Sequence, residues 1–132
     1  MEKSGYFEIL GKCYFTDEVH RNFDGSQAHC KEIFSLGGRL FEPRNETTNV
    51  EVVGKMWAGT TWAKYPWIGI TDRSSRGNYK YESDNGHLTV SSRWRAGEPS
   101  DENQHCVEFC NSRGDWCDGS CSWRKYCFCE GT

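Results

Sequence analysis

A chain of 132 residues has room for one domain, and its formal net charge of -3 leaves no cationic surplus for nucleic acid or an anionic membrane. No apolar run nears the roughly 20 residues that cross a bilayer, and Met1 leads into EKSGYF rather than the hydrophobic stretch of a signal peptide, so the sequence reads as a mature or trimmed chain. Eight cysteines, six of them between Cys106 and Cys129, suit an oxidising compartment, and the protein reads as secreted.

Residues Tyr6 to Phe15, YFEILGKCYF, carry aromatic and β-branched side chains around the Gly11-Lys12 break and predict two short strands. Phe23, Ser26, Cys30 and Ile33 recur at spacings of three and four, which predicts an amphipathic helix over 24–34, stopped by Gly37-Gly38. A second helix is expected from Thr47 or Thr48, either of which can cap it, with Val50, Val53 and Trp57 on one face before Gly59. Beyond it, Trp67 to Ile70, Tyr79 to Tyr81, Cys106 to Phe109 and Tyr126 to Cys129 read as strands between Gly/Ser/Asn/Asp-rich connections. Two helices followed by strands and long loops make an α+β domain.

The connection from Ser83 to Gln104 is long for a compact domain, and loops of that length are commonly functional. Trp94 marks it as a loop pinned by a buried aromatic. It ends in GEPSDENQHC at 97–106, where Glu98, Ser100, Asp101, Glu102, Asn103 and Gln104 crowd oxygen atoms around Pro99. Such a stretch serves either as a solvated turn or as an oxygen cage for a hard cation such as calcium.

The cysteines have two structural uses. Cys106, Cys110, Cys117 and Cys121 form two C-x3-C pairs that can offer zinc four thiolates, but zinc would leave four cysteines unexplained, so disulfides are favoured. If Arg113-Gly114 is a two-residue turn between Phe109 and Trp116, Cys110 faces Cys117 directly and the pair forms a cross-strand disulfide. Asn45-Glu46-Thr47 is an N-glycosylation acceptor triplet.

Seven pieces in a fixed order carry a resemblance. They are Phe23-x6-Cys30, GGRL at 37–40, WIGI at 67–70, the Trp94-x-x-Gly97-Glu98-Pro99 run, CVEF at 106–109, WCD at 116–118 with Cys121, and the closing CFCE. Together they make the chain, from Tyr6 to Glu130, resemble the C-type lectin-like domain. The resemblance implies two helices, a terminal strand pair and an upper β-ribbon bearing a long loop region. It also implies bridges Cys30–Cys129 and Cys106–Cys121, and leaves Cys13 to pair with Cys127 from the adjoining strand.

In sugar-binding members of that family, calcium is held by a Glu-Pro-Asn or Gln-Pro-Asp triplet, a glutamate shortly before the third-strand cysteine, and the Asn-Asp after the tryptophan. The sugar binds the metal through two neighbouring hydroxyls, and a proline that is typically cis turns the triplet's flanking residues toward the ion. Carried over, Glu98 and Asp118 remain carboxylates, Ser100 and Gln104 become neutral oxygen donors, and Cys117 replaces a ligand that sulfur cannot imitate. Asp101, Glu102 and Asp115 are candidates for replacement charge. Two sure carboxylates imply weak calcium binding, on the order of 10⁻⁴ to 10⁻³ M. Glu98 before the proline matches the mannose-type order, whereas Ser100 lacks the usual amide donor, so mannose- and galactose-type hexoses both stay open. An exposed Trp or Tyr would favour galactose; Trp116 and Trp123 both read as core or strand aromatics.

The rival reading is the same fold without metal-dependent sugar binding, recognising protein through its loops. Arg113-Gly114-Asp115 at a hairpin tip is an integrin-type triplet, and such residues also occur in turns for ordinary reasons. His20, His29, His87 and His105 show no metal-protease spacing and no nucleophile elbow is present, so catalysis is not expected. A shallow polar sugar site binds weakly alone, which makes a homodimer or larger assembly the expected form.

Overall fold

Ile9 and Lys12 pair across a two-residue turn in which Leu10 and Gly11 both have positive φ, 53° and 79°, the geometry that joins two right-twisted strands most tightly. The computed structural model, which describes residues 5–35, 37–59 and 65–131, starts from this hairpin. Its strands are β1 (Tyr6–Ile9) and β2 (Lys12–Phe15), followed by helix α1 (Phe23–Ile33), strand β3 (Arg39–Leu40) and helix α2 (Glu46–Gly59). Strands β4 (Trp67–Thr71), β5 (Lys80–Tyr81), β6 (Cys106–Phe109), β7 (Trp116–Gly119) and β8 (Cys129–Glu130) complete the order. The fold is α+β, with two helices and two four-stranded antiparallel sheets ordered β1-β2-β8-β3 and β5-β4-β6-β7. Among the described residues no helix is long and apolar enough to cross a membrane.

The lower sheet brings the two ends of the chain together. Strand β8 lies between β2 and β3, with Cys129 opposite both Phe15 and Leu40. The Cys30–Cys129 disulfide then ties α1 to it. Glu130, buried there, accepts Lys12 Nζ at 2.6 Å, Arg39 Nε at 3.3 Å and the Glu42 N–H at 2.7 Å, so its charge is matched inside the sheet.

Helix α1 begins one residue before the expected start, with Asn22 Oδ1 accepting the Gly25 N–H at 2.8 Å. Helix α2 begins at Glu46, because Asn45 rather than either threonine caps it and takes the Thr48 N–H at 3.0 Å. Its buried stripe is Asn49, Val52, Val53 and Met56; of the expected face Val53 is buried and Trp57 packs half-buried on the core, whereas Val50 is 63% exposed. The closing strand is displaced as well: Trp67 takes its hydrogen bond to Tyr126 outside the ladder, and regular pairing starts at Cys129.

In the upper sheet all five residues of β4 are buried, with Trp67 at its start and Ile68 and Ile70 in the core. Strands β6 and β7 pair Phe109 with Trp116 and Val107 with Asp118. The connecting turn spans Asn111 to Gly114, not Arg113-Gly114 alone: Gly114 N–H reaches the Asn111 carbonyl at 3.1 Å and Cys110 N–H the Asp115 carbonyl at 2.9 Å. Cys110 therefore faces Asp115, and its bridge to Cys117 runs diagonally, with 5.8 Å between Cα atoms. Cys106–Cys121 is also formed, so the four cysteines considered for zinc are all in disulfides.

The expected Cys13–Cys127 bridge is absent, and both residues carry free thiols. Register explains it. With Phe15 opposite Cys129, Cys13 lies level with Gly131, whose N–H it accepts at 2.9 Å. Cys127 lies four residues further along, roughly 13 Å at about 3.3 Å per residue, and a disulfide spans at most about 7 Å. The Cys127 thiol is buried, and burial together with the Asp17 charge pushes its pKa up to about 12.

Two predictions follow from this framework. Thiol titration should find two reactive groups in the denatured protein and Cys13 alone in the native one; no thiol at all would mean that the fourth bridge exists. Leu10, 73% exposed at positive φ, gains nothing from its side chain, so Leu10→Asn should stabilise the protein by about 0.5–1 kcal/mol in a denaturation midpoint.

Candidate functional site

From residue 93 onward the irregular loop between β5 and β6 is fastened at three places, after its first part has bonded to Glu42, Arg44 and Glu46 through Ser83, Thr89 and Ser91. At its near end Trp116 N–H donates to the Arg93 carbonyl at 2.7 Å and Arg95 N–H to the Trp116 carbonyl at 2.9 Å. Trp94, half-buried, stands edge-on to Tyr79 and Trp116, with ring centroids 4.8 and 5.6 Å away. At its far end Asp72, 4% exposed at the end of β4, contacts His105 Nδ1 at 2.8 Å, its N–H donates to the His105 carbonyl, and its other oxygen accepts the Gly77 N–H. Cys106 follows and is locked to Cys121.

The middle fastening is Asp118, 5% exposed on β7. The Ser100 N–H donates to both of its oxygens at 3.0 and 3.1 Å, Ser100 Oγ lies 3.3 Å from one, and the Asp101 N–H donates to the other at 3.1 Å. The chain reaches this point through Gly97, at φ 87°, and a cis Glu98–Pro99 peptide bond. Glu98 arrives beside Asp118 with its Oε1 buried and without a hydrogen-bond partner. Burial raises the Glu98 pKa above the ordinary glutamate range, and Asp118 pushes the same way while Ser100 and Arg95 oppose.

Glu98, Ser100 and Asp118 thus meet in space. Gln104 is half-buried on the same loop, its N–H donating to the Asp101 carbonyl at 3.0 Å. Asp101 contributes its N–H to Asp118 but turns its carboxylate to the Asn103 N–H at 2.8 Å, and Glu102 is exposed. Cys117 is occupied by its disulfide.

Asp115 does not join them. It lies three residues back along the hairpin, roughly 10 Å. There it meets Asn111 Nδ2 at 2.8 Å, Arg113 Nη2 at 3.1 Å and Arg93 Nη2 at 3.4 Å. Burial alone would raise its pKa, but Asn111 and the two arginines hold it below the usual carboxylate range. The Arg-Gly-Asp triplet is therefore folded on itself, with arginine and aspartate paired to each other.

Two neighbours, Glu108 and Tyr79, escaped the sequence reading, and a third, Trp123, departs from it. Glu108 is buried on β6 and bonded to Lys125 Nζ at 2.6 Å; burial raises its pKa, Lys125 and Arg95 lower it, and the Glu98 charge adds to the rise. The Tyr79 phenol is held protonated well above its ordinary range by burial and by the charges of Asp72, Asp118 and Glu98. Trp123 is 47% exposed, contrary to the core or strand role expected of it, whereas Trp116 is fully buried. A glutamate inside CVEF was the legible signal for Glu108, since a buried strand tolerates a charge only with a partner.

Because Glu98 has a raised pKa, the folded protein holds its proton more tightly than the unfolded chain does. Stability contributed by the protonated form is present below the ordinary glutamate range and lost as pH rises through the raised value. Glu98→Gln keeps the neutral form at every pH. Melting scans in EDTA between about pH 4 and 8 should show the variant gaining on the wild type as pH rises; a constant gap would contradict the assignment.

Residues 19–131 match the family model of the lectin C-type domain. Human Collectin-10 is 32% identical over 129 residues, covering 96% of this chain and 44% of the collectin, so the chain spans less than half the length of that relative. Among solved structures, human lithostathine superposes with a TM-score of 0.83 at 20% identity, over 98% of each chain. The C-type lectin CEL-I from Cucumaria echinata superposes with a TM-score of 0.79 at 19% identity, over 98% of this chain and 96% of its own. At those identities the structural likeness establishes the fold alone.

Proposed function

Since this chain belongs to the C-type lectin domain family, we propose that it is a secreted carbohydrate-recognition domain that binds hexose glycans, mannose- or galactose-type, through calcium at the Glu98–Asp118 pair. The observation that carries the reading is the buried, unpartnered Oε1 of Glu98 beside a second buried carboxylate. Two ionised carboxylates in contact repel, a cation between them relieves that repulsion, and an oxygen set suits calcium.

Glu98 and Asp118 would supply the charge, with the Ser100 hydroxyl and the Gln104 amide oxygen as neutral donors. A bound calcium ion supplies coordination sites for two neighbouring sugar hydroxyls. The protein's own contribution is positional. Ser100 and Asp101 N–H groups orient the Asp118 carboxylate, the Trp94–Trp116 contact holds the loop that carries Glu98, and Arg95 tempers the Glu98 charge before the cation arrives. Preorganisation of this kind lowers the cost of ordering a loop on binding.

Two carboxylates support affinity on the order of 10⁻⁴ to 10⁻³ M, which extracellular calcium can fill. Weak single sites gain strength by multiplicity, so the domain works best as part of a dimer or larger assembly. Asn45 is exposed, and its Oδ1 caps α2, which leaves the amide nitrogen for an N-linked glycan.

The test combines thermal melting and a glycan array, each in 10 mM calcium and in EDTA, for wild type and Glu98→Gln. Calcium at about ten times a Kd near 10⁻³ M should stabilise the wild type by about 1.4 kcal/mol, with array signal that EDTA abolishes. Glu98→Gln should lose both responses. Equal melting and equal or absent array signal in the two buffers would overturn the proposal.

A further inference from the structure

Cys127 is a free thiol packed against a disulfide. Its Sγ and those of Cys30 and Cys129 all lie within 4.8 Å of one another, and all three residues are fully buried. Cys127 and Cys129 alternate with Phe128 along the closing segment and so face one side, where Cys30 meets them from α1. Cys127 pairs with Trp67 through its backbone, and its carbonyl accepts Thr16 Oγ1 at 2.7 Å, so its place in the chain is fixed. Arg21 Nη1 reaches the sulfur at 3.5 Å, and both Arg21 nitrogens bind Asp17 at 3.0 Å. His29 Nε2 stands behind that pair, 3.5 Å from Asp17.

We infer that these three cysteines form an internal thiol–disulfide exchange site, in which α1 is tethered to the closing segment through either Cys129 or Cys127. In the exchange Cys127 gives up its proton and its thiolate attacks Cys30 Sγ. The Cys30–Cys129 bond breaks, its electron pair leaves on Cys129 Sγ, and that sulfur takes up a proton. One S–S bond forms and one breaks, so the step needs neither oxidant nor reductant. Cys30 is the sulfur attacked, because a bridge from Cys127 to Cys129 would join residues about 6.6 Å apart along a strand, beyond the Cβ spacing of about 3.5–4.5 Å that a disulfide allows.

The surroundings set the pace of the exchange. Burial and the Asp17 charge make the thiolate scarce at neutral pH, and the Arg21 guanidinium opposes them. Against that scarcity, a sulfur fixed beside its target avoids the cost of encounter, worth factors of roughly 10⁵ or more when the groups are well aligned. A buried thiol is otherwise inert, and its place against a disulfide is what gives Cys127 a reaction.

The test follows the free thiol by mass spectrometry. Wild type is held at about pH 7 and about pH 9, quenched in acid, unfolded and alkylated with N-ethylmaleimide at mildly acidic pH, where exchange stops for want of thiolate. Fragmentation of the C-terminal peptide then shows which cysteine is labelled. Label should begin on Cys127 and spread to Cys129 with time, about tenfold faster for each pH unit. Cys127→Ser should leave Cys129 unlabelled at both pH values. Cys129→Ser should carry the alternative bridge, Cys30–Cys127, with Cys13 as its free thiol. Label confined to Cys127 in the wild type, or Cys30 and Cys127 both free in Cys129→Ser, overturns the exchange. Label on Cys129 in Cys127→Ser also overturns it, because the bridge then opens by another route. If Cys129→Ser does not fold, the wild-type labelling decides alone.

Discussion

Asp118 is buried at the end of a strand with both oxygens filled by N–H groups from a loop that has no regular structure of its own. Those charge-assisted bonds decide where residues 98 to 101 lie, and therefore where Glu98 points. Without them the stretch between the Trp94 ladder on one side and Asp72, His105 and Cys106 on the other would lose its hold on β7. Strand β7 is itself held by pairing with β6 and by two disulfides on that hairpin, so the anchor cannot drift. The site is thus a property of the sheet transmitted to the loop by one side chain.

The treatment of buried acids elsewhere in the chain sharpens this point. Glu130 has Lys12 and Arg39, Glu42 has Arg44 at 2.7 Å, Glu108 has Lys125, and Asp72 has His105. Each satisfies the rule that a desolvated carboxylate needs a partner charge or donors. Glu98 and Asp118 form no ion pair among the described residues and instead lie against each other. Asp118 takes its donors from the Ser100 and Asp101 N–H groups, whereas Glu98 Oε1 is buried without one.

How much of this was legible follows from what each signal depends on. The stripe of Phe23, Ser26 and Cys30 has one helical solution and marks α1 to within a residue. The second helix has valines at 50, 52 and 53, which allow two stripes, and only packing on the core that the two sheets share selects the face of Val52, Val53 and Met56. Asn45 competes with two threonines as cap, and local propensity does not rank them. Register is further from reach. Gly114 can close a turn of two or four residues, and the longer turn moves Cys110 from a direct to a diagonal pairing with Cys117. The same dependence on register separates Cys13 from Cys127. At the site, Glu98, Ser100 and Asp118 could be named because family motifs carry them. Tyr79 could not, and Trp123 read as a core or strand aromatic, since the burial of both depends on which loops lie side by side.

The central claim is that Glu98 and Asp118 share one divalent ion. Crystals grown in millimolar calcium test it most directly. The account predicts one strong density peak between the two carboxylates, with oxygen distances of about 2.3–2.6 Å. Carboxylates turned apart, with water alone in the space between them, would contradict it.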